Sequence, residues 1–201
     1  MLVLQACAQA MTISGTVTYA KTVYAKTGPT TTTTAAVEGA TITATGGTTG
    51  TFTTTTASDG TYTLDIGSNS TYSIVIQPSG SGVLVGSSVS GSSISGVLSV
   101  SLASGFTSST RLTNQLSGTG AETFNVFVQL LRGVNWMKSK GLTPSRTVNC
   151  LYPSTQGTQF NPTDFYLIVQ KLTSDPDAFD DDIILHEFGH WVAEEFFKDS
   201  S

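Results

Sequence analysis

The residues with the plainest chemical potential are His186, Glu187 and His190, within Ile183-Ile-Leu-His-Glu-Phe-Gly-His-Trp191. They include both histidines of the 201-residue chain. On a helix rising 1.5 Å per residue, histidines four apart share one face, about 6 Å apart along the axis. Two imidazoles so placed can hold one zinc ion, which takes nitrogen donors readily. Glu187 then reaches a water on that metal. It takes the proton as the oxygen attacks a carbonyl, and later delivers it to the leaving amine. The spacing therefore predicts metal-assisted hydrolysis, with His186 and His190 as metal ligands and Glu187 as the catalytic base. The apolar entry Ile183-Ile184-Leu185 predicts that the motif lies in a packed helix. Gly189 costs a helix interior about 1 kcal/mol relative to alanine, which predicts a close neighbour there.

The elements that would position these residues are legible from the pattern. Asp180-Asp181-Asp182 marks the start of the motif helix. Upstream, Glu122 to Lys138 carries an apolar stripe of Phe124, Phe127, Val128, Leu131 and Val134, so a second helix is expected, ending at Gly141. Arg146–Tyr152 and Asp164–Leu172 read as strands. From Met11 to about Leu102 the chain shows seven short alternating segments, among them Ile13–Tyr19, Thr61–Ile66 and Tyr72–Gln77. Turn residues such as Ser58-Asp59-Gly60 and Pro78-Ser79-Gly80 separate them. Such punctuation predicts an antiparallel β-sandwich. The fold class expected is mainly β plus α+β: a sandwich over 11–103, a linker over 104–119 and an α+β region over 120–201. Thr30–Thr34 reads as a Thr-rich loop.

Composition narrows the partners. Charged residues make up 11% of the chain and the net charge is −5. Phosphate binding needs a basic patch, so nucleic acid is not an expected partner. No apolar run approaches the roughly 20 residues needed to span a bilayer. Residues 1–10 read as the remnant of a secretory leader. Ala8-Gln9-Ala10 fits a cleavage site, and Cys7 suits lipid attachment, so a secreted or cell-surface bacterial protein is expected. Cys150, in an apolar run, is expected to be a buried structural thiol.

Two resemblances sharpen this reading. Ser14–Val17, Val37–Ala44 and Ser58–Leu64 resemble the carboxypeptidase regulatory-like domain. That resemblance covers about Met11 to Ser79, and implies a transthyretin-like sandwich in a supporting role. Asp180–His190 resembles the active-site helix of zincin metallopeptidases, and implies a peptide or protein substrate. It also implies a substrate-aligning edge strand, placed at Phe165, Tyr166, Leu167, Ile168 and Val169. The aspartates of Asp175–Asp182 could bind calcium; a solvated helix N-terminus is the preferred expectation.

The third zinc ligand is the gap. The metzincin pattern wants glycine and histidine where this chain has Ala193 and Phe196. Glu194 lies about 12 Å along the helix from His186, so it and Glu195 are expected to face solvent, or at best to support the metal ligands without touching the ion. In the glutamate-type zincins that ligand comes from a later helix. The chain is thus expected to be part of a longer peptidase, with the third ligand outside it, and to bind zinc weakly and turn over little. The competing expectation is a surface adhesion or carbohydrate-binding β-module with a catalytically degenerate appendage. Substrate preference and oligomeric state are not legible.

Overall fold

The computed structural model of the chain describes residues 11–24, 30–46, 50–67, 71–106, 108–172 and 177–198. Seven strands come first: β1 (Met11–Val23), β2 (Thr31–Ala36), β3 (Thr41–Gly46), β4 (Gly50–Thr55), β5 (Thr61–Ile66), β6 (Tyr72–Gln77) and β7 (Ser79–Gly80). Then follow β8 (Val83–Ser90), β9 (Ser93–Val97), β10 (Val100–Phe106), β11 (Thr110–Leu116) and helix α1 (Gly118–Ser139). The remainder is β12 (Val148–Ser154), β13 (Gln159–Asn161), β14 (Tyr166–Gln170), a 3-10 turn at Asp177–Phe179 and helix α2 (Asp181–Phe196). The molecule is mainly β, with three sheets and two α-helices among the described residues.

Alternation builds β1: Met11, Ile13, Val17 and Tyr19 point inward, while Thr12 is exposed. Its first half pairs antiparallel with β5, its second half with β2, and its other edge runs parallel to β11. Before β5 the chain turns at Asp59-Gly60. Gly60 has φ +79, and a Cβ there would lie 2.3 Å from the Val17 carbonyl oxygen, so only glycine fits. The second sheet is antiparallel throughout, in the order β10, β6, β3, β4.

In the third sheet β8, β12 and β14 run parallel, β13 lies antiparallel on one margin, and β7 and β9 pair with β8 on the other. Strands of a parallel sheet are covered on both faces, and β8 shows it. Val83 and Val85 join the main core, while Leu84 packs with Ile94, Leu151, Tyr166 and Ile168. Helix α1 lies between the sheets, against β1, β8 and α2. The expected stripe of Phe124, Phe127, Val128, Leu131 and Val134 is buried, but so are Val126 and Leu130. A helix apolar on nearly all sides is a core helix.

Several stretches differ from their sequence reading, and β8 and β9, expected in the sandwich over 11–103, belong to the third sheet. Thr30–Thr34, read as a Thr-rich loop, falls mostly within β2, because β-branched threonine suits a pleated strand. Within 104–119, read as linker, Thr110–Leu116 forms β11, where Leu112 and Leu116 alternate inward between polar residues. Ile94–Leu102, read as one strand, is divided between β9 and β10, with Gly96 at φ +63 near the break. Residues 1–10, which include Cys7, lie outside the described residues, and no described helix is long and apolar enough to cross a membrane.

Candidate metal centre

Helix α2 is preceded by Asp180, whose carboxylate accepts the backbone N–H groups of Asp182 and Ile183, each at 3.1 Å. This is an N-cap satisfying two otherwise unpaired donors. The next aspartate is no mere solvated charge. Asp181 forms an ion pair with Lys21 of β1 and accepts from Asn125 Nδ2 at 3.0 Å. Asn125, fully buried on α1, also donates to the Ala178 carbonyl at 2.8 Å and accepts from the Tyr19 hydroxyl at 2.9 Å. Burial pushes the Tyr19 hydroxyl up to about 12. Asp177 takes a hydrogen bond from Thr158, and Asp175 lies outside the described residues. Three of the aspartates read as a possible calcium cluster are thus engaged in capping, ion pairing or hydrogen bonding.

The inner face of α2 is Ile184, Phe188 and Trp191, spaced four and three residues apart. Phe188 packs on Gly133 of α1, and Trp191 stacks on Phe188 with ring centroids 5.8 Å apart and planes 8° from parallel. That packing turns His186 and His190 outward; both are exposed. Their Nε2 atoms stand 3.2 Å apart and their rings are nearly perpendicular. Two nitrogens on a tetrahedral zinc at about 2.0–2.1 Å would be separated by about 3.3 Å, close to the separation here. The same spacing suits an N–H···N hydrogen bond in the metal-free chain, with the rings in opposite tautomers. Among the described residues no group of three or more His, Cys, Asp or Glu side chains converges to hold a metal.

Half-buried Glu187 turns toward the third sheet, where its Oε2 accepts the Phe160 backbone N–H at 2.8 Å. Phe160 is the central residue of β13, and β13 is the sheet margin beside α2. The edge strand expected at Phe165–Val169 is therefore displaced by one. β14 lies between β12 and β13, paired on both sides over Tyr166–Ile168, and Tyr166, Leu167, Ile168 and Val169 are buried. Phe165 precedes it with φ +61. Sequence reading missed Phe160, because a three-residue strand stopped by Pro162 is too short to show a period. A cleft of about 620 Å³ opens here, with Gln159, Phe160 and Pro162 on one wall and Glu187, His190, Ala193 and Phe197 on the other.

Three further expectations are corrected. A Cβ on Gly189 would meet nothing within 4 Å, so no described residue approaches closely there. Glu195 does not face solvent. Its side chain is 4% exposed, accepts from the Ser145 N–H and Oγ at 2.7 Å each, and lies 3.6 Å from Arg146. Glu194, mostly covered, forms an ion pair with Lys198. Cys150, by contrast, is buried as expected, and burial pushes its thiol well above the ordinary range, which leaves it inert.

Comparison of the chain with protein-family models, with curated proteins and with solved structures returns no match. The site therefore stands on its own chemistry: two outward imidazoles with Nε2 atoms 3.2 Å apart, and on the same helix a carboxylate bonded to a sheet margin.

Proposed function

We propose that this chain carries the active-site helix of a zinc-dependent metallopeptidase of the zincin type. The single observation that carries the reading is the 3.2 Å separation of His186 Nε2 and His190 Nε2 on an exposed helix face, with His190 and Glu187 both lining the cleft. His186 and His190 would hold the ion through Nε2. A bound zinc supplies a Lewis acid that polarises a carbonyl and makes a water acidic enough to attack it. Glu187 would serve as the base, taking up a proton on a carboxylate oxygen and returning it to the leaving amine nitrogen. The Phe160 N–H fixes the carboxylate against the sheet margin, which orients the base. A peptide lying in the cleft beside β13 would bring its carbonyl carbon within reach of Glu187 and His190.

In this reading the first two sheets form the accessory sandwich of carboxypeptidase regulatory-like type, and the protein acts outside the cell. The test is Glu187→Gln in a peptide-hydrolysis assay, however slow the turnover, beside a zinc titration of the same variant. Hydrolysis is expected to be abolished with zinc binding retained. Unchanged turnover would sink the mechanism.

A further inference from the structure

We propose that a second cavity, adjoining the cleft, is a subsite for a lysine or arginine side chain of the substrate, held by the carboxylate of Asp164. The proposal rests on the peptidase reading and names its substrate class. The cavity has a volume of about 850 Å³, within the range of ligand pockets, and its lining includes Arg146, Asp164, Phe165, Glu194 and Glu195. It shares Pro162, Glu194 and Lys198 with the cleft beside Glu187 and His190, so an extended peptide in the cleft can send a side chain into it.

Charge pairing decides what that side chain is. The cavity is lined by the cations Arg146 and Lys198 and by the carboxylates of Asp164, Glu194 and Glu195. Lys198 is taken by Glu194, and Arg146 lies 3.6 Å from Glu195, with its guanidinium 4.1 Å above the Phe165 ring. Asp164 alone has no basic partner among the described residues; its carboxylate accepts only from Asn161 Nδ2, at 3.4 Å. A ligand cation would therefore find an uncompensated carboxylate. A ligand anion would find both cations already engaged.

The segment that presents Asp164 is also constrained. Asn161 Oδ1 accepts the N–H groups of Thr163 and Asp164, and the Asn161 carbonyl accepts the Phe165 N–H at 2.9 Å. Phe165 holds φ +61, a conformation that bulky residues rarely adopt and that persists where surroundings over-determine it. Edge contacts to Phe160 and Trp191, with Arg146 on its face, supply that enclosure. The turn thus fixes a part-buried acidic group at the junction with the cleft, and a preorganised charge loses less on binding.

The test uses the full chain with zinc and blocked alanine hexapeptides carrying one arginine at each position in turn, beside glutamate twins. Binding is read by fluorescence anisotropy. At one position arginine is expected to bind at least about tenfold more tightly than glutamate, and Asp164→Asn to reduce that preference below about threefold. Asp164→Lys is expected to invert it. Equal binding of the twins, an unchanged preference in Asp164→Asn, or no binding of either peptide overturns the proposal. An arginine preference that stands while zinc binding ignores His186→Ala upholds the subsite and removes the peptidase reading. Zinc binding that needs His186 without any arginine preference removes the subsite alone.

Discussion

Phe188 of α2 stands against Gly133 of α1 so closely that a Cβ on Gly133 would lie 2.6 Å from its ring. The contact seats the helix that carries both histidines, and Trp191 stacks on the same ring. Gly189, one residue further along α2, has open space where its Cβ would be. Two helical glycines thus predict opposite outcomes.

Gly133→Ala should destabilise the fold by up to about 2 kcal/mol, because overpacking of about 1–3 kcal/mol outweighs a helix-propensity gain of about 1 kcal/mol. Gly189→Ala should stabilise it by about 0.5–1 kcal/mol. Urea melts of the two variants beside the parent chain check both signs. A stabilised Gly133→Ala would show that α1 and α2 do not pack as described.

Asn125 links β1, the Asp177–Phe179 turn and the first turn of α2 through hydrogen bonds to Tyr19, Ala178 and Asp181. Asn125→Leu leaves the buried Tyr19 hydroxyl without its acceptor and should cost about 1–3 kcal/mol or more. Lys21→Met should cost less, since its ion pair with Asp181 is partly exposed. Comparable losses in the two variants, measured by denaturant unfolding, would contradict this ranking.

Much of this scaffold is legible in the residues, for physical reasons that differ by element. β5 and β6 span the residues their alternation marks, Thr61–Ile66 and Tyr72–Gln77, because one face of each is buried and the period of two survives. The start of α2 is written in its capping aspartate. β11 was hidden by its polar content, since Thr110, Arg111, Asn114 and Gln115 read as linker until β1 supplies the partner. The assignment of β8 to the third sheet depends on a parallel pairing with β12 more than sixty residues away, which no local pattern encodes. At the site, the helical spacing of His186, Glu187 and His190 is local and visible. The Phe160 N–H that holds Glu187 is a backbone contact that no side-chain identity announces.

Stability should fall in strong alkali. Burial holds Tyr19 and Tyr62 protonated up to about 12, and burial together with the hydrogen bond to Glu122 raises Tyr152 as well. Tyrosines of the unfolded chain ionise near pH 10. The folded state therefore binds these protons more tightly, and the stability involved is intact below about pH 10 and lost as pH rises through about 12. Tyr19 and Tyr62 would each contribute about 2–3 kcal/mol to that loss. Denaturant melts from pH 9 to 12 check it, and Tyr19→Phe should flatten the decline. A flat profile in the parent chain would contradict the burial of these hydroxyls.

The most direct measurement is a calorimetric zinc titration of the full chain beside His186→Ala and His190→Ala. The account predicts one zinc per chain and a loss of at least about tenfold in affinity for each variant, since each removes one of two nitrogens held at ligand spacing. Zinc affinity unchanged in both variants would contradict it.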